Sequence, residues 1–362
     1  MLFGEEMSPS ARGREVERYE RLGDGRVRCA VCPRRCLVAP GERGVCRVRY
    51  NDGGRFELLT YGKAVSTAID PIEKKPLFHF APGARVLSVA ARGCNFECDF
   101  CQNYRIAIEH DDVPEQSLPP SELAETAVER SCGGIAYTYT EPTIFLEYAL
   151  DTMRETGEDT CNVFVSNGYM TEETATQLAP ELDAINIDIK GDTEFYRKRC
   201  GVPDPAPIYD AAETLADGGV HVEITNLVIP EENDDPETVR ERMAWIRKEL
   251  GPETPVHFSR FRPAYRMQDV PPTPIGTLES LMDVAREEGL QYVYCGNVPG
   301  HESESTYCPD CGTLVIKRQG FEIRSYDLEN GNCPSCGRSI DVAGTEWARG
   351  TESTGRRRRL GF

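Results

Sequence analysis

No stretch of 18 or more apolar residues occurs in this 362-residue chain, which excludes a membrane-spanning helix of ordinary length. The first 18 residues mix charges and hold no apolar h-region, so no secretory signal is expected and a cytoplasmic location is. A basic surface is missing as well. The 41 Lys+Arg against 60 Asp+Glu leave a net charge of −19, the wrong sign for gripping a nucleic-acid backbone. Lys is scarce while Arg is common, and the acidic residues are spread along the whole chain. Such a surface suits a salt-rich cytoplasm, where screening weakens self-repulsion; an ordinary acidic enzyme is the alternative. The 39% hydrophobic content still allows a full core at this length.

Cysteine is present in excess, with 15 residues, and their grouping matters more than their number. Eleven fall in three sets: Cys29, Cys32, Cys36 and Cys46; Cys94, Cys98 and Cys101; and Cys308, Cys311, Cys333 and Cys336. Cys132, Cys161, Cys200 and Cys295 are scattered. In a reducing compartment such spacing reads as metal ligation rather than as a disulfide framework.

Between about residues 85 and 297, short Val/Ile/Tyr-rich runs alternate with amphipathic stretches. Strands are predicted at 85–90, 134–139, 161–166, 184–189, 220–229, 255–260 and 291–294. Helices are predicted from a Ser121 cap to 132, from a Thr171 cap to 182, and over 235–250 and 277–288. Repeated β-α units imply parallel strands with right-handed crossovers, hence a barrel or an open doubly wound sheet. The Pro-rich stretch 263–274 reads as an ordered loop at the barrel mouth, with a plain linker as the alternative.

Directly after the first strand stands Gly93-Cys94-Asn95-Phe96-Glu97-Cys98-Asp99-Phe100-Cys101-Gln102-Asn103. Three thiolates on one loop can each bind one iron of a cubane, leaving the fourth iron open to a small chelating molecule. A zinc site completed by His110 is the alternative. This CxxxCxxC loop, with Phe100 before its third cysteine and a β/α context, resembles the radical S-adenosylmethionine (SAM) superfamily. The resemblance implies a partial (β/α)6 TIM-like barrel and a [4Fe–4S] cluster on Cys94, Cys98 and Cys101. It also implies SAM across the C-terminal ends of the strands, where β/α barrels place their sites. In that family a reduced cluster cleaves SAM to a 5′-deoxyadenosyl radical, which abstracts hydrogen from a substrate. An electron donor such as ferredoxin or flavodoxin is then the expected partner.

The strand ends supply candidates for holding SAM beside Phe100 and Asn103. Thr140-Glu141-Pro142 stands where relatives carry Gly-Gly-Glu, so Thr140 and Glu141 are candidates, with helix capping as the alternative. Ser166-Asn167-Gly168 resembles the Thr-Asn-Gly of activating enzymes, and a tight turn explains Asn-Gly almost as well. Strand alternation puts Asn186, Asp188 and Lys190 on one face, where Asp188 and Lys190 can pair with each other and with the SAM carboxylate. A buried ion pair alone is the alternative there. His257 and Arg260 on the sixth strand can bind substrate or a carboxylate, or simply fill the core.

Cys308-x2-Cys311-x21-Cys333-x2-Cys336, with Gly after each pair, matches the two knuckles of a zinc ribbon. A rubredoxin-like iron site has the same spacing. The N-terminal Cys29-x2-Cys32-x3-Cys36-x9-Cys46 can hold zinc or an auxiliary iron–sulfur cluster, zinc being the plainer reading. Together with Tyr137-Thr138-Tyr139-Thr140-Glu141-Pro142 and Gly296-Asn297-Val298-Pro299-Gly300-His301, these motifs are similar to the AmmeMemoRadiSam group of radical SAM enzymes. That group is related to pyruvate formate-lyase activating enzymes. The expected organisation is a flexible N-terminus over 1–21, a Cys-rich module over 22–80 and the barrel over 81–300. A zinc-ribbon-like module follows over 301–343, then a disordered tail over 344–362 that includes four consecutive Arg. Two rival functions remain open: a glycyl-radical activase acting on a protein substrate, and a non-enzymatic zinc or iron–sulfur scaffold.

Overall fold

The computed structural model describes residues 13–348. Its centre is an eight-stranded sheet: β1 (Ser66–Pro71), β2 (Arg85–Ala90), β3 (Gly134–Tyr137), β4 (Cys161–Ser166), β5 (Ala184–Asp188), β6 (His221–Val228), β7 (Val256–Arg260) and β8 (Val293–Gly296). The strands lie in chain order, and no pairing joins β8 back to β1. β2 to β8 are all parallel, and β1 runs antiparallel along the open edge of β2. Each of the six parallel crossovers carries one helix of seven residues or more: α1 (Pro120–Glu129), α2 (Leu146–Glu155), α3 (Glu172–Leu178), α4 (Ala206–Asp217), α5 (Pro236–Trp245) and α6 (Ile275–Glu287). This is the expected α/β (β/α)6 arrangement, with a seventh parallel strand and an antiparallel edge strand added.

Local chemistry explains the helix starts. The Thr171 hydroxyl accepts from the Thr174 N–H, and Asp235 accepts from the Glu237 N–H with Pro236 at the first helical position. α1 departs from the expected Ser121 cap. It begins at Pro120, whose missing N–H costs nothing in a first turn, so no side-chain cap is used. The apolar faces of α3 and α4 (Ala175, Leu178, Ile208, Ala211, Leu215) bury against Ile185 and Ile187 of β5, leaving the opposite face of β5 to the barrel interior. Among the described residues no helix is long and apolar enough to cross a membrane.

The expected module boundaries shift at three places. Residues 13–21 are not loose: Arg14–Glu15 pairs with Arg55–Leu58, and Tyr19–Arg21 pairs with Val27–Cys29. β1, expected within the Cys-rich module, belongs to the central sheet. The C-terminal end of the described chain packs on the barrel, where the Trp347 indole donates to the Glu158 carbonyl and lies against Phe80. The four Arg of the tail, 356–359, lie outside the described residues.

Two small modules clasp the barrel. The N-terminal one is pinned by Arg49, buried and forked onto both oxygens of Glu147 at 3.0 and 2.6 Å while its Nε donates to the Ile144 carbonyl. The C-terminal one is a three-stranded sheet, Thr306–Tyr307, Leu314–Gln319 and Glu322–Tyr326. Its buried Arg318 donates to the Phe78 carbonyl at 2.7 Å and caps the Phe78 ring.

Beneath this contact, Glu223 accepts from the N–H groups of Phe78 and His79 and from the rings of His221 and His257. Burial alone would raise its carboxyl, but these donors hold it well below the usual range. His79 bonds the Asp341 carbonyl and the Tyr294 hydroxyl, and burial pushes it down to about 4 despite the Glu223 charge. Burial also pushes His110 down to about 4. Between about pH 6.5 and 4 the unfolded chain therefore binds protons that the folded chain does not, so stability falls as pH drops through that window. His79 alone is expected to account for about 3 kcal/mol. Urea midpoints at pH 7 and 4.5 check this, and equal midpoints would refute it. His79→Gln should reduce the fall without abolishing it.

Candidate active site

The cluster loop leaves β2 and is fixed from several sides. The Glu97 and Asp99 N–H groups donate to the Cys200 and Arg199 carbonyls, and Arg199 and Arg266 pair with the Asp99 carboxylate. Asn95 donates from its amide to the Tyr169 carbonyl and accepts from the Asn167 amide at 2.8 Å. Phe96 packs on Tyr169 and Phe100 on Phe195. The loop 263–274 packs beside it, with Tyr265 stacked on Tyr104 at 4.7 Å.

Cys94, Cys98 and Cys101 line an open cavity of about 1130 Å³ together with residues from every strand end between β1 and β8. The sheet therefore curls around this space at its carboxyl edge, where such folds place their sites. Of the residues singled out from the sequence, Phe100, Asn103, Thr140, Glu141, Ser166, Asn167, Asp188 and Lys190 all line it. His257 and Arg260 do not. His257 lies one layer lower, committed to Glu223 at 2.7 Å, and Arg260 turns away to donate to the Thr273 carbonyl. These two are corrected from ligand candidates to structural residues.

The lining residues divide by whether they have bonding capacity left. Glu141 is largely committed: it accepts from the Thr143 N–H (3.0 Å) and hydroxyl (2.6 Å), the Ser166 hydroxyl (2.7 Å) and the Asn167 N–H (2.8 Å). It caps the short helical turn Pro142–Phe145 and ties the ends of β3 and β4 together. The Thr140 hydroxyl donates to the Ala91 carbonyl and keeps acceptor capacity only, and the Asn103 amide donates one N–H to the Tyr139 carbonyl while keeping a second N–H and its carbonyl oxygen. Asn167 splits its amide between Asn95 and the Cys94 sulfur, at 3.8 Å, which makes it a positioning residue for the cysteine loop. By contrast, Asp188 and Lys190 pair at 2.8 Å, and Asp188 keeps a third of its side chain exposed to the cavity. The Thr225 hydroxyl is buried at the cavity wall without a partner.

Sequence reasoning missed the opposite wall. Lys74 and Lys75, in the turn after β1, both reach Asp70, at 2.8 and 2.7 Å. Tyr139 and Ser88 bond the same carboxylate. Burial pushes Lys75 down to about 8 against the pull of Asp70. The available signal was two adjacent lysines in a Lys-poor chain just ahead of the first parallel strand. Ser259 and Asn297, which bond each other at 2.8 Å, complete the rim.

The donor set fits the implied groups. Three thiols from one loop face the cavity, no fourth cysteine or histidine lines it, and Cys200 sits behind Cys98. Cys94, Cys98 and Cys101 would hold a cubane with one iron open, and the free valences of Asp188, Lys190 and Thr225 would meet the polar end of SAM. The C-terminal set differs: its four sulfurs converge, with Cys308 and Cys336 at 3.5 Å and Cys311 and Cys333 at 3.6 Å, as in a zinc-ribbon-like module.

A family model described as the Radical SAM superfamily matches residues 88–243, from β2 into α5. The uncharacterized protein MJ0808 of Methanocaldococcus jannaschii is 48% identical over 335 residues, covering 91% of this chain and 99% of that protein. A second protein of that organism, the uncharacterized MJ0674, is 25% identical over 278 residues, covering 74% and 76%. Among solved structures, a radical SAM methyltransferase from Sphaerobacter thermophilus is similar at 15% identity and a TM-score of 0.48, over 64% of this chain and 71% of that one. With a three-cysteine loop at the mouth of a β/α sheet and a full-length relative at this identity, the chain belongs to the radical SAM superfamily, in the family of MJ0808, and is an enzyme of the radical SAM class.

Proposed function

We propose that this enzyme cleaves SAM reductively at Cys94, Cys98 and Cys101 and turns the product on a substrate held in the same cavity. One observation carries the reading: a single cavity is lined by three cysteines of one loop and, beside them, by Asp188, Lys190 and Thr225 with bonding capacity to spare. When bound, the reduced cluster would supply one electron to the SAM sulfonium, releasing methionine and a 5′-deoxyadenosyl radical that abstracts hydrogen. The chain's own part is positioning. Asp188 and Lys190 take the amine and carboxylate ends of SAM, Asn167 holds the Cys94 side of the loop, and the 263–274 loop braces it through Arg266 on Asp99. Lys74 and Lys75 present positive charge across the cavity, which favours a substrate bearing an anionic group.

Anaerobic reconstitution, reduction and addition of SAM test this through 5′-deoxyadenosine and a SAM-dependent change in the cluster's EPR spectrum. A loaded, reducible cluster with neither signal would end the reading. Asp188→Asn and Lys190→Met should each raise the KM for SAM roughly 10- to 100-fold, the loss of one charge-assisted hydrogen bond. Unchanged KM would make the pair purely structural. A ferredoxin- or flavodoxin-type donor in a salt-rich cytoplasm, zinc at the Cys308 set, and AmmeMemoRadiSam membership complete the proposal. The 15 free thiols suit such a reducing compartment.

A further inference from the structure

Cys29, Cys32, Cys36 and Cys46 lie apart in their loops yet surround one small, partly enclosed cavity. Cys29 ends the strand Val27–Cys29, Cys32 and Cys36 occupy the following turn, and Cys46 comes from the next loop. The remaining lining is mostly apolar, including Val31, Phe56 and Ile144, with Arg34 and Arg49 at its edge. A pocket with four thiols and almost no other polar atoms has no organic ligand to suit it.

The spacing of the sulfurs separates the two metal readings. Thiolates bound 2.3 Å from one tetrahedral zinc stand about 3.8 Å from each other. The Cys308 set meets that spacing, and among the described residues it is the only group with three or more ligand atoms within 4.8 Å of one another. The N-terminal four are more widely spread around their cavity. So are Cys94, Cys98 and Cys101, the set that the superfamily commits to a cubane. A cubane places each thiolate on a different iron and therefore needs that spread. Arg34 and Arg49 would offset part of the charge of four thiolates.

We infer that Cys29, Cys32, Cys36 and Cys46 hold an auxiliary [4Fe–4S] cluster, fully ligated by protein, rather than zinc. The inference rests partly on reading the Cys94 set as cluster ligands, which calibrates the spacing. It also fits the placement. Arg34 donates to the Asn95 carbonyl at 3.1 Å, and Asn95 lines the auxiliary cavity while following the ligand Cys94 directly. Gly93 has φ +94°, and a Cβ there would stand 2.8 Å from the Cys46 carbonyl oxygen, so the two cysteine loops touch where only glycine fits. One residue layer separates the two sites.

The test is the metal content of the full chain after anaerobic reconstitution. The parent should carry about eight irons and eight sulfides, and Cys94→Ala/Cys98→Ala/Cys101→Ala about four of each, with the Mössbauer signature of a cubane. Adding Cys36→Ala should remove them. Iron near zero in the triple variant, with two zinc per chain, would overturn the inference. In case the triple variant fails to fold, Cys36→Ala alone should halve the iron while keeping the SAM-induced EPR change. Iron unchanged at about four, with zinc falling from two to one, would overturn it equally. If instead the parent's only cluster survives loss of the Cys94 set and ignores SAM, the catalytic assignment fails and the auxiliary one stands.

Discussion

Cys98→Ala is expected to release no detectable 5′-deoxyadenosine and to show no SAM-dependent change in the EPR spectrum, in a chain that still folds. Cys98 comes from the middle of the loop, 8% exposed and packed against Cys200 at its back. Removing one small buried sulfur from such a site costs about 1 kcal/mol, a fraction of a domain's stability. Removing an iron ligand leaves two thiolates for a cluster that needs three from this chain. Activity should therefore fall by more than the 10- to 100-fold typical of losing a partner that merely orients a metal ligand. Asn167→Ala supplies that comparison. It withdraws the amide shared by Asn95 and the Cys94 sulfur, so a 10- to 100-fold loss with the cluster still present is expected. Equal residual activity in Cys98→Ala and Asn167→Ala would mean that Cys98 positions rather than ligates.

Much of this layout was legible because the signals are local. The runs at 85–90 and 161–166 are bounded by turns and match the observed β2 and β4 residue for residue. Thr171 and Asp235 announce helices through side chains that cap the first turn. What escaped was set by partners distant in sequence. The edge strand Ser66–Pro71 is defined by its antiparallel fit to Arg85–Ala90, and nothing in its own pattern distinguishes it from the strands of the N-terminal module. Residues 13–21 likewise become strands only because 55–58 and 27–29 stand ready to pair with them.

The site shows the same division. Cys94, Cys98 and Cys101 declare themselves by spacing, and strand alternation correctly turned Asp188 and Lys190 toward one face. Alternation does not give depth. His257 shares the inward face with Ser259 yet sits a layer lower, where Glu223 claims it. Glu141 reaches the cavity, but its four donors are local: Thr143 two residues on, and Ser166 and Asn167 at the end of the neighbouring strand. Capping, the alternative weighed for it from the sequence, describes its bonds. Lys75 was invisible as a site residue because it reaches the cavity only through the turn after an unrecognised strand.

Stripping the metal from the Cys308 set, or replacing the buried Cys333 with alanine, should unfold the C-terminal module and destabilise the barrel beneath it. About 40 residues with three short strands cannot bury enough surface to fold unaided, and a structural zinc typically supplies about 10–16 kcal/mol in such modules. Here Cys308 and Cys333 sit inside the module's own core with Val315, Ile316 and Ile340, and that core continues into Phe78, Tyr292 and Tyr294 at the base of the barrel. Losing the metal therefore exposes barrel aromatics. It also withdraws Arg318 from the Phe78 carbonyl and the Asp341 carbonyl from His79. Each is a hydrogen bond exchanged for one to water, at about 1 kcal/mol apiece. The expected results are rapid proteolysis confined to residues 306–343 and a thermal midpoint lowered by several degrees. The catalytic cluster should still load, because Cys94, Cys98 and Cys101 face the other end of the barrel. Metal analysis, limited proteolysis with mass spectrometry and calorimetry on Cys333→Ala check this together. A module that stays protease-resistant without metal, with an unchanged midpoint, would mean that packing against Phe78 suffices and that the four sulfurs serve some purpose other than folding.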